Sequence, residues 1–265
     1  MARHQPLIDR LRINYYVTRR RILRTLVPEF VWPGLVNIDG VDIKLRGAPY
    51  SFGVKTLLRS GEYELAERML ANRILGPGMT VIEMGSSIGI LTAVIAKCVG
   101  ETGTVVAVEA SEELTGYSRT WLEKDGIVKV VCGYGFPVWE VPAGLVVGSF
   151  NSDTGSLGGT VGFEITPSPS LVSPNGAEIL DLQTLCERFT LVPDVLVLDI
   201  EGSESMLMLC EPRIPLTVQH LLIELHPSLY AGGKRDMELI VNSIRDDGFE
   251  LQETIGDSHH FRRVQ

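Results

Sequence analysis

This 265-residue chain is short of positive charge: 24 Lys and Arg stand against 33 Asp and Glu, a formal net charge of −9. Neutralising phosphates needs a basic surface, so the expectation is no nucleic-acid partner. Cysteine is scarcer still. Cys98, Cys132, Cys186 and Cys210 are widely spaced with no C-x-x-C, and they read as small core residues in a reducing cytoplasm. A secretory leader is not expected either, because the arginine-rich start has no continuous apolar stretch. Nor is there an uninterrupted membrane-length run. The most apolar window, Gly78 to Gly100, is broken by Glu83, Lys97, Thr80, Ser86, Ser87 and Thr92. What is present describes a folded globular domain, with 45% hydrophobic and 22% charged residues.

The charge is unevenly spread. Residues 1–24 hold seven arginines and one aspartate, a net of +6, which leaves −15 for the rest. Within this segment Leu7, Ile8, Leu11, Tyr15, Ile22, Leu23 and Leu26 alternate with arginines as on a basic amphipathic helix. Two readings stay open: a helix packed on the domain or on a second subunit, or one drawn to an anionic membrane surface. Leu35 to Leu45 alternates apolar and polar residues around Asp39-Gly40, the pattern of a β-hairpin. Ser60-Gly61-Glu62-Tyr63-Glu64 then opens a helix to about Ile74, where acids at the N-terminus need no function to explain them. Residues 1–59 are thus an extension, and 60–265 the domain.

The rest is organised around Thr80-Val81-Ile82-Glu83-Met84-Gly85-Ser86-Ser87-Ile88-Gly89-Ile90-Leu91. It reads as a buried strand, a glycine turn and the start of a helix whose Ile88, Leu91, Ile95 and Val99 recur at helical spacing. Gly85 permits a sharp turn and close approach to a ligand, and Gly89 close packing of the helix on the sheet. A dinucleotide site wants G-x-G-x-x-G, but its second glycine is here Ser87, which counts against an NAD-dependent oxidoreductase. Glu83-x-Gly85-x-x-x-Gly89 is instead the form used for S-adenosylmethionine, with a carboxylate near the methionine ammonium. A second strand, Thr104 to Glu109, ends on an acid suited to accept from ribose hydroxyls, and Ser111 caps the next helix. Gly133-Tyr134-Gly135 follows a third strand, Ile127 to Cys132, where an adenine ring would lie.

Residues 136–177 change character, rich in Gly, Ser, Thr and Pro, and read as an insertion forming a lid or acceptor pocket. Val195 to Glu204 reads as strand four and the start of another helix, with Asp199, Glu201 and Glu204 within six residues, and strand five ends in Glu224-Leu225-His226-Pro227. Acids at a helix start account for Glu204, but Asp199 sits inside a strand that otherwise reads apolar. Glu224 and His226, two residues apart, share a face. Met237, Ile240 and Ile244 mark a last helix, and Phe249 to Val264 a closing hairpin around Gly256-Asp257.

Taken together, Gly61-Glu62-Tyr63-Glu64, Val81 to Gly89, Val108-Glu109, Leu180-Asp181-Leu182, Asp199 to Glu204 and Leu222 to Pro227 resemble the FkbM family of S-adenosylmethionine-dependent methyltransferases. The resemblance spans about residues 60 to 255. It departs at Glu83 and Ser86-Ser87, where family members usually show Asp and Gly-Ala-Asn, and at Val197-Leu198 before Asp199, where they often show Lys-Ile. It implies an α/β fold, a doubly wound, mostly parallel seven-stranded sheet with an antiparallel last hairpin. It also implies methyl transfer to a hydroxyl of a sugar, glycolipid or natural product. S-adenosylmethionine would be held by Glu64, Glu83, Gly85, Ser86, Ser87, Gly89, Glu109, Gly133, Tyr134 and Asp199. The expected chemistry is carried by His226, with Glu201 and Glu224 beside it, as a metal-free base. The rival is a divalent metal, Mg²⁺ or Mn²⁺, on Asp199, Glu201, Glu224 and His226; the base is preferred because no spacing in the chain demands a metal. A third reading, a non-catalytic cofactor-binding protein, requires these carboxylates to point away from the cleft.

Overall fold

The computed structural model describes residues 32–136, 147–152, 161–165, 178–202, 204, 214–230 and 232–264, with 134–136, 147–152, 161–165, 178–179 and 181 described in backbone alone. The basic N-terminal segment and most of the 136–177 insertion lie outside the described residues.

The first elements are β1 (Leu35–Ile38) and β2 (Val41–Lys44), an antiparallel hairpin. Asp39 and Gly40 both have positive φ, 50° and 84°, as the two-residue turn that matches strand twist requires. A helix not anticipated from sequence follows, α1 (Phe52–Ser60), capped by the Ser51 hydroxyl, which accepts from Val54 N at 3.2 Å. Its buried side includes Thr56 and Ser60, whose hydroxyls bond back to the Phe52 and Leu57 carbonyls, so polar residues hid the apolar period. Ser60 therefore ends one helix instead of opening the next, and α2 begins at Leu65 (Leu65–Ile74). Arg68 of α2 is only 2% exposed. It donates to the carbonyls of Tyr63 and Gly61 and pairs with Asp39, which clamps the hairpin to the turn ahead of α2.

The glycine motif forms as expected, with β3 (Thr80–Met84) and α3 (Ile90–Val99), followed by β4 (Thr104–Glu109) and α4 (Glu112–Leu122). Ser111 caps α4, accepting from Leu114 N at 3.3 Å. The third strand, β5 (Val128–Phe136), runs beyond its expected end at Cys132. Gly133 and Tyr134, expected to follow the strand, therefore belong to it; Gly133 is buried, and the Tyr134 side chain lies outside the described residues. The insertion includes a separate antiparallel pair, β6 (Val147–Ser152) and β7 (Val161–Ile165). The chain then continues through β8 (Glu178–Asp181), α5 (Leu182–Phe189), β9 (Val195–Leu198), β10 (His220–Glu224), α6 (Lys234–Asp246), β11 (Phe249–Ile255) and β12 (Ser258–Arg263).

The main sheet has the order β11-β12-β10-β9-β3-β4-β5-β8, parallel except where β12 runs antiparallel to both β10 and β11. Seven strands stand as expected, with the closing hairpin at one edge. The extra residues of β5 recruit β8 as an eighth at the other edge. Strand residues alternate between two cores. Ile82, Met84, Val106, Leu196, Leu198 and Ile223 join Ile240 and Ile244 of α6 on one face. Val81, Val105, Val197 and Leu222 join Leu70 and Met69 of α2 and Leu91 and Ile95 of α3 on the other. A third cluster ties the hairpin and α1 to Ile88 and Ile90 of the glycine motif.

Candidate active site

Strand register and parity build the site. Pairing of Met84 with Val108 and with Leu198, and of Leu198 with Ile223, sets Glu109, Gly85, Asp199 and Glu224 in one row across the sheet, just past the strand ends. Glu109, Asp199 and Glu224 have the parity of Ala107, Val197 and Leu222, so they stand on the face covered by α2 and α3. Glu83 lies on the same face, one layer deeper. Four carboxylates from four adjacent strands thus converge under the N-termini of two helices, where a doubly wound sheet takes its ligands.

Gly85, φ 88°, sits in the row without a side chain. A Cβ there would stand 1.7 Å from the Asp199 carbonyl oxygen, so the close approach it permits is to the neighbouring strand and not to a ligand. At Gly89 a Cβ would meet Leu122 Cδ1 at 2.5 Å, so its partner is α4, not the sheet. Between them Ser87, φ 49°, gives its N–H to Glu109 Oε2 at 2.8 Å, and its Oγ lies 3.2 Å from the Tyr63 hydroxyl. Glu109 Oε1 accepts from Ser111 N at 2.8 Å. Burial raises the pKa of Glu109 against the pull of the Ser111, Ser87 and Ala110 N–H groups. Glu64 accepts from Leu91 N at 2.9 Å and so caps α3, and burial and then Glu83 push its pKa well up. Glu83 is 2% exposed, and burial lifts it to about 7, with Thr92 pulling it down and Glu109 pushing it up. Its Oε2 and the Ser86 Oγ are buried without a hydrogen-bond partner.

At the other end of the row, His226 Nε2 faces Asp199 Oδ1 at 3.9 Å, Glu201 Oε2 at 3.8 Å and Glu224 Oε1 at 3.7 Å. The carboxylates beyond strands four and five therefore point inward to one place. Burial raises Asp199 well above the carboxylate range, with Glu224 and Glu201 adding to it; burial and then Glu67 take Glu224 to about 8. Burial disfavours the charged imidazole of His226, but Glu204, Glu224 and Glu201 outweigh it and hold the ring at about 9.

Several residues that matter here were not anticipated. Glu204 is fully buried and accepts from Ile200 N at 3.1 Å, Gly202 N at 2.9 Å and the Tyr230 hydroxyl at 3.0 Å, fastening the turn that carries Glu201. The Tyr230 hydroxyl accepts in turn from His226 N at 3.0 Å. Glu67 of α2 accepts from the Ser258 hydroxyl and leans on Glu224. Spacing three residues from Glu64 on one helix face was the available signal for Glu67; Tyr230 offered none. A cavity of about 390 Å³ opens beside these groups, lined among others by Glu62, Glu64, Glu67, Glu224 and Ser258. No helix among the described residues is long and apolar enough to cross a membrane.

The fold is that of the class I methyltransferases: strands in this order, the hairpin antiparallel, and the glycine turn at the centre. Residues 59–143 match the family model of protein-L-isoaspartate(D-aspartate) O-methyltransferase. The chain is 35% identical over 136 residues to the protein-L-isoaspartate O-methyltransferase of Aeropyrum pernix, covering 49% of this chain and 50% of that one. It thus spans about half the length of that curated relative. Among solved structures it is similar to the Aeropyrum pernix fibrillarin with natively bound S-adenosyl-L-methionine, at 12% identity and TM-score 0.42, covering 76% of this chain and 74% of that one. It is also similar to an S-adenosylmethionine-dependent O-methyltransferase of Thermotoga maritima, at 14% identity and TM-score 0.42, covering 75% and 64%. At those scores neither structure bears on this chain's cofactor or substrate.

Proposed function

We propose that the chain is an S-adenosylmethionine-dependent O-methyltransferase of the FkbM kind, transferring a methyl group to a neutral hydroxyl of a sugar, glycolipid or natural product. The observation that carries this reading is the row itself, with a cofactor half at Glu83, Gly85 and Glu109 and an acceptor half at Asp199, Glu201, Glu224 and His226. The family match over residues 59–143 includes the first half and stops before the second. A hydroxyl acceptor is neutral and needs only a group placed to take its proton, a part open to Glu201 beside His226.

The residues present fit the cofactor. Glu83 offers a buried, unpartnered oxygen to an ammonium, and Glu109 offers a carboxylate to ribose hydroxyls. Ser86 and Ser87 line the turn between them, and Glu64 acts through the end of α3 that it caps. When bound, the cofactor supplies a methyl group on a sulfonium leaving group. The protein's part is to hold the acceptor oxygen in line and relieve it of its proton, and we place His226, Glu201 and Glu224 at that oxygen.

Calorimetric titration with S-adenosylhomocysteine, S-adenosylmethionine and NAD tests the cofactor half. The first two are expected to bind and NAD not; Glu109→Ala should weaken S-adenosylhomocysteine by roughly 1.5–3 kcal/mol, the scale of a charge-assisted hydrogen bond. Labelled methyl transfer to polyhydroxyl acceptors beside an isoaspartyl peptide tests the other half. Transfer to the peptide alone would remove the hydroxyl reading.

A further inference from the structure

The acceptor half of the row has a feature that hydrogen bonding leaves unexplained. Three carboxylate oxygens surround His226 Nε2 at 3.7–3.9 Å, beyond hydrogen-bonding reach, and yet point at it. Two ligands of one small divalent ion, each about 2.1 Å away, can stand at most about 4.2 Å apart. The separations from Nε2 to Asp199 and to Glu224 fall inside that limit. Donor atoms of Asp199, Glu224 and His226 all lie within 4.8 Å of one another, a spacing that has to tighten around a bound ion.

A second observation is independent of the acidity. Asp199 Oδ1, the oxygen that faces Nε2, is shielded from solvent and has no hydrogen-bond partner. A buried carboxylate oxygen left bare costs stability unless something positive fills the space before it. The third lies behind the ring. His226 Nδ1 faces Glu204 Oε1 at 3.7 Å, and Glu204 is itself held by Ile200 N, Gly202 N and Tyr230. At that distance Glu204 backs the ring as a buried charge and not through a hydrogen bond, and Nδ1 is buried without a hydrogen-bond partner.

We propose that Asp199, Glu224 and His226 form a divalent-cation site, with two carboxylates and one imidazole suited to Mn²⁺ or Mg²⁺. Its remaining positions take the acceptor hydroxyl, whose pKa the cation lowers; Glu201 receives the proton. The role in catalysis rests on the methyl-transfer reading above, whereas occupancy of the site does not.

The test reads binding, not turnover. Mn²⁺ is titrated into the full-length protein and the free ion followed by electron paramagnetic resonance, with Mg²⁺ as competitor. One ion per chain at micromolar affinity is expected, weakened at least tenfold in Asp199→Asn and in His226→Ala and displaced by excess Mg²⁺. Glu224→Gln, close in shape, repeats the measurement, and circular dichroism confirms that each variant is folded. Mn²⁺ bound equally well by folded variants would come from the acidic surface at large and overturn the site, as would no binding below millimolar concentrations. S-adenosylhomocysteine titration alongside separates the two readings: Mn²⁺ binding without it leaves the cation site standing and removes the methyltransferase, and the converse removes only the cation.

Discussion

The residue that shows most clearly what this site demands of the fold is Glu83. It is a carboxylate in a buried strand, with one oxygen unpartnered, and its pKa is lifted to about 7 chiefly by burial. The sign of the consequence follows from linkage. The folded state prefers the protonated acid, so stability is fully present below the unfolded carboxylate pKa and falls as pH rises toward and past 7. At pH 8 the cost is on the order of 3 kcal/mol. Glu83→Gln should therefore raise the melting temperature at pH 8 and leave it nearly unchanged at pH 4. The same substitution should weaken S-adenosylmethionine binding, because the charge that costs stability is the one set to meet an ammonium. Scanning calorimetry at the two pH values checks the first half; equal shifts at both would show that the charge of Glu83 is not what burial penalises. Stability given up at a functional residue is the expected signature of a binding site.

Among the elements, the β3–turn–α3 unit is held by contacts that sequence patterning could name only in part. The strand, the turn and the helix were all legible as apolar periodicity broken by glycine. The reason for Gly85 was not, since it lies in Asp199, more than a hundred residues away. Gly85→Ala would drive a methyl group into the Asp199 backbone and force a positive φ on alanine. It should destabilise the protein by at least about 3 kcal/mol, read as a lowered denaturant midpoint. A loss below 1 kcal/mol would mean that β9 can withdraw from the turn, and that Asp199 is not rigidly placed. The helix α1 is the opposite case: its hydroxyl caps and polar buried face were in the sequence, but their meaning depends on burial, which periodicity does not reveal.

On the scale of the whole molecule, the acidic body and the basic first 24 residues remain to be related. Among the described residues, hairpin, α1 and the glycine motif share one cluster. Deleting residues 1–24 should leave S-adenosylhomocysteine affinity within twofold of the full chain, measured by calorimetry. A tenfold loss in a folded truncation would assign the segment to the cofactor site. The same construction explains why the acids gather where they do. Parallel strands in register carry residues of equal parity to one level of one face, so each strand that ends on an acid adds it to a common row.

That row marks the boundary between what the chain announces and what folding decides. The α/β class, the central glycine turn and the closing hairpin follow from local pattern, because burial of alternating or helical faces is written in short-range periodicity. The candidate acids Glu83, Glu109, Asp199, Glu201 and Glu224, with His226, were visible as polar residues ending apolar strands. Their distances from one another were not, because sheet order and register are settled by pairing between segments far apart in the chain. Only the tertiary structure brings Glu67 and Tyr230 to the site, turns Glu204 from a helix-start acid into its buried support, and leaves Asp199 Oδ1 bare before His226. No spacing along the sequence demanded a metal; the cluster on which the cation site is proposed forms only in three dimensions, between the ends of β9 and β10.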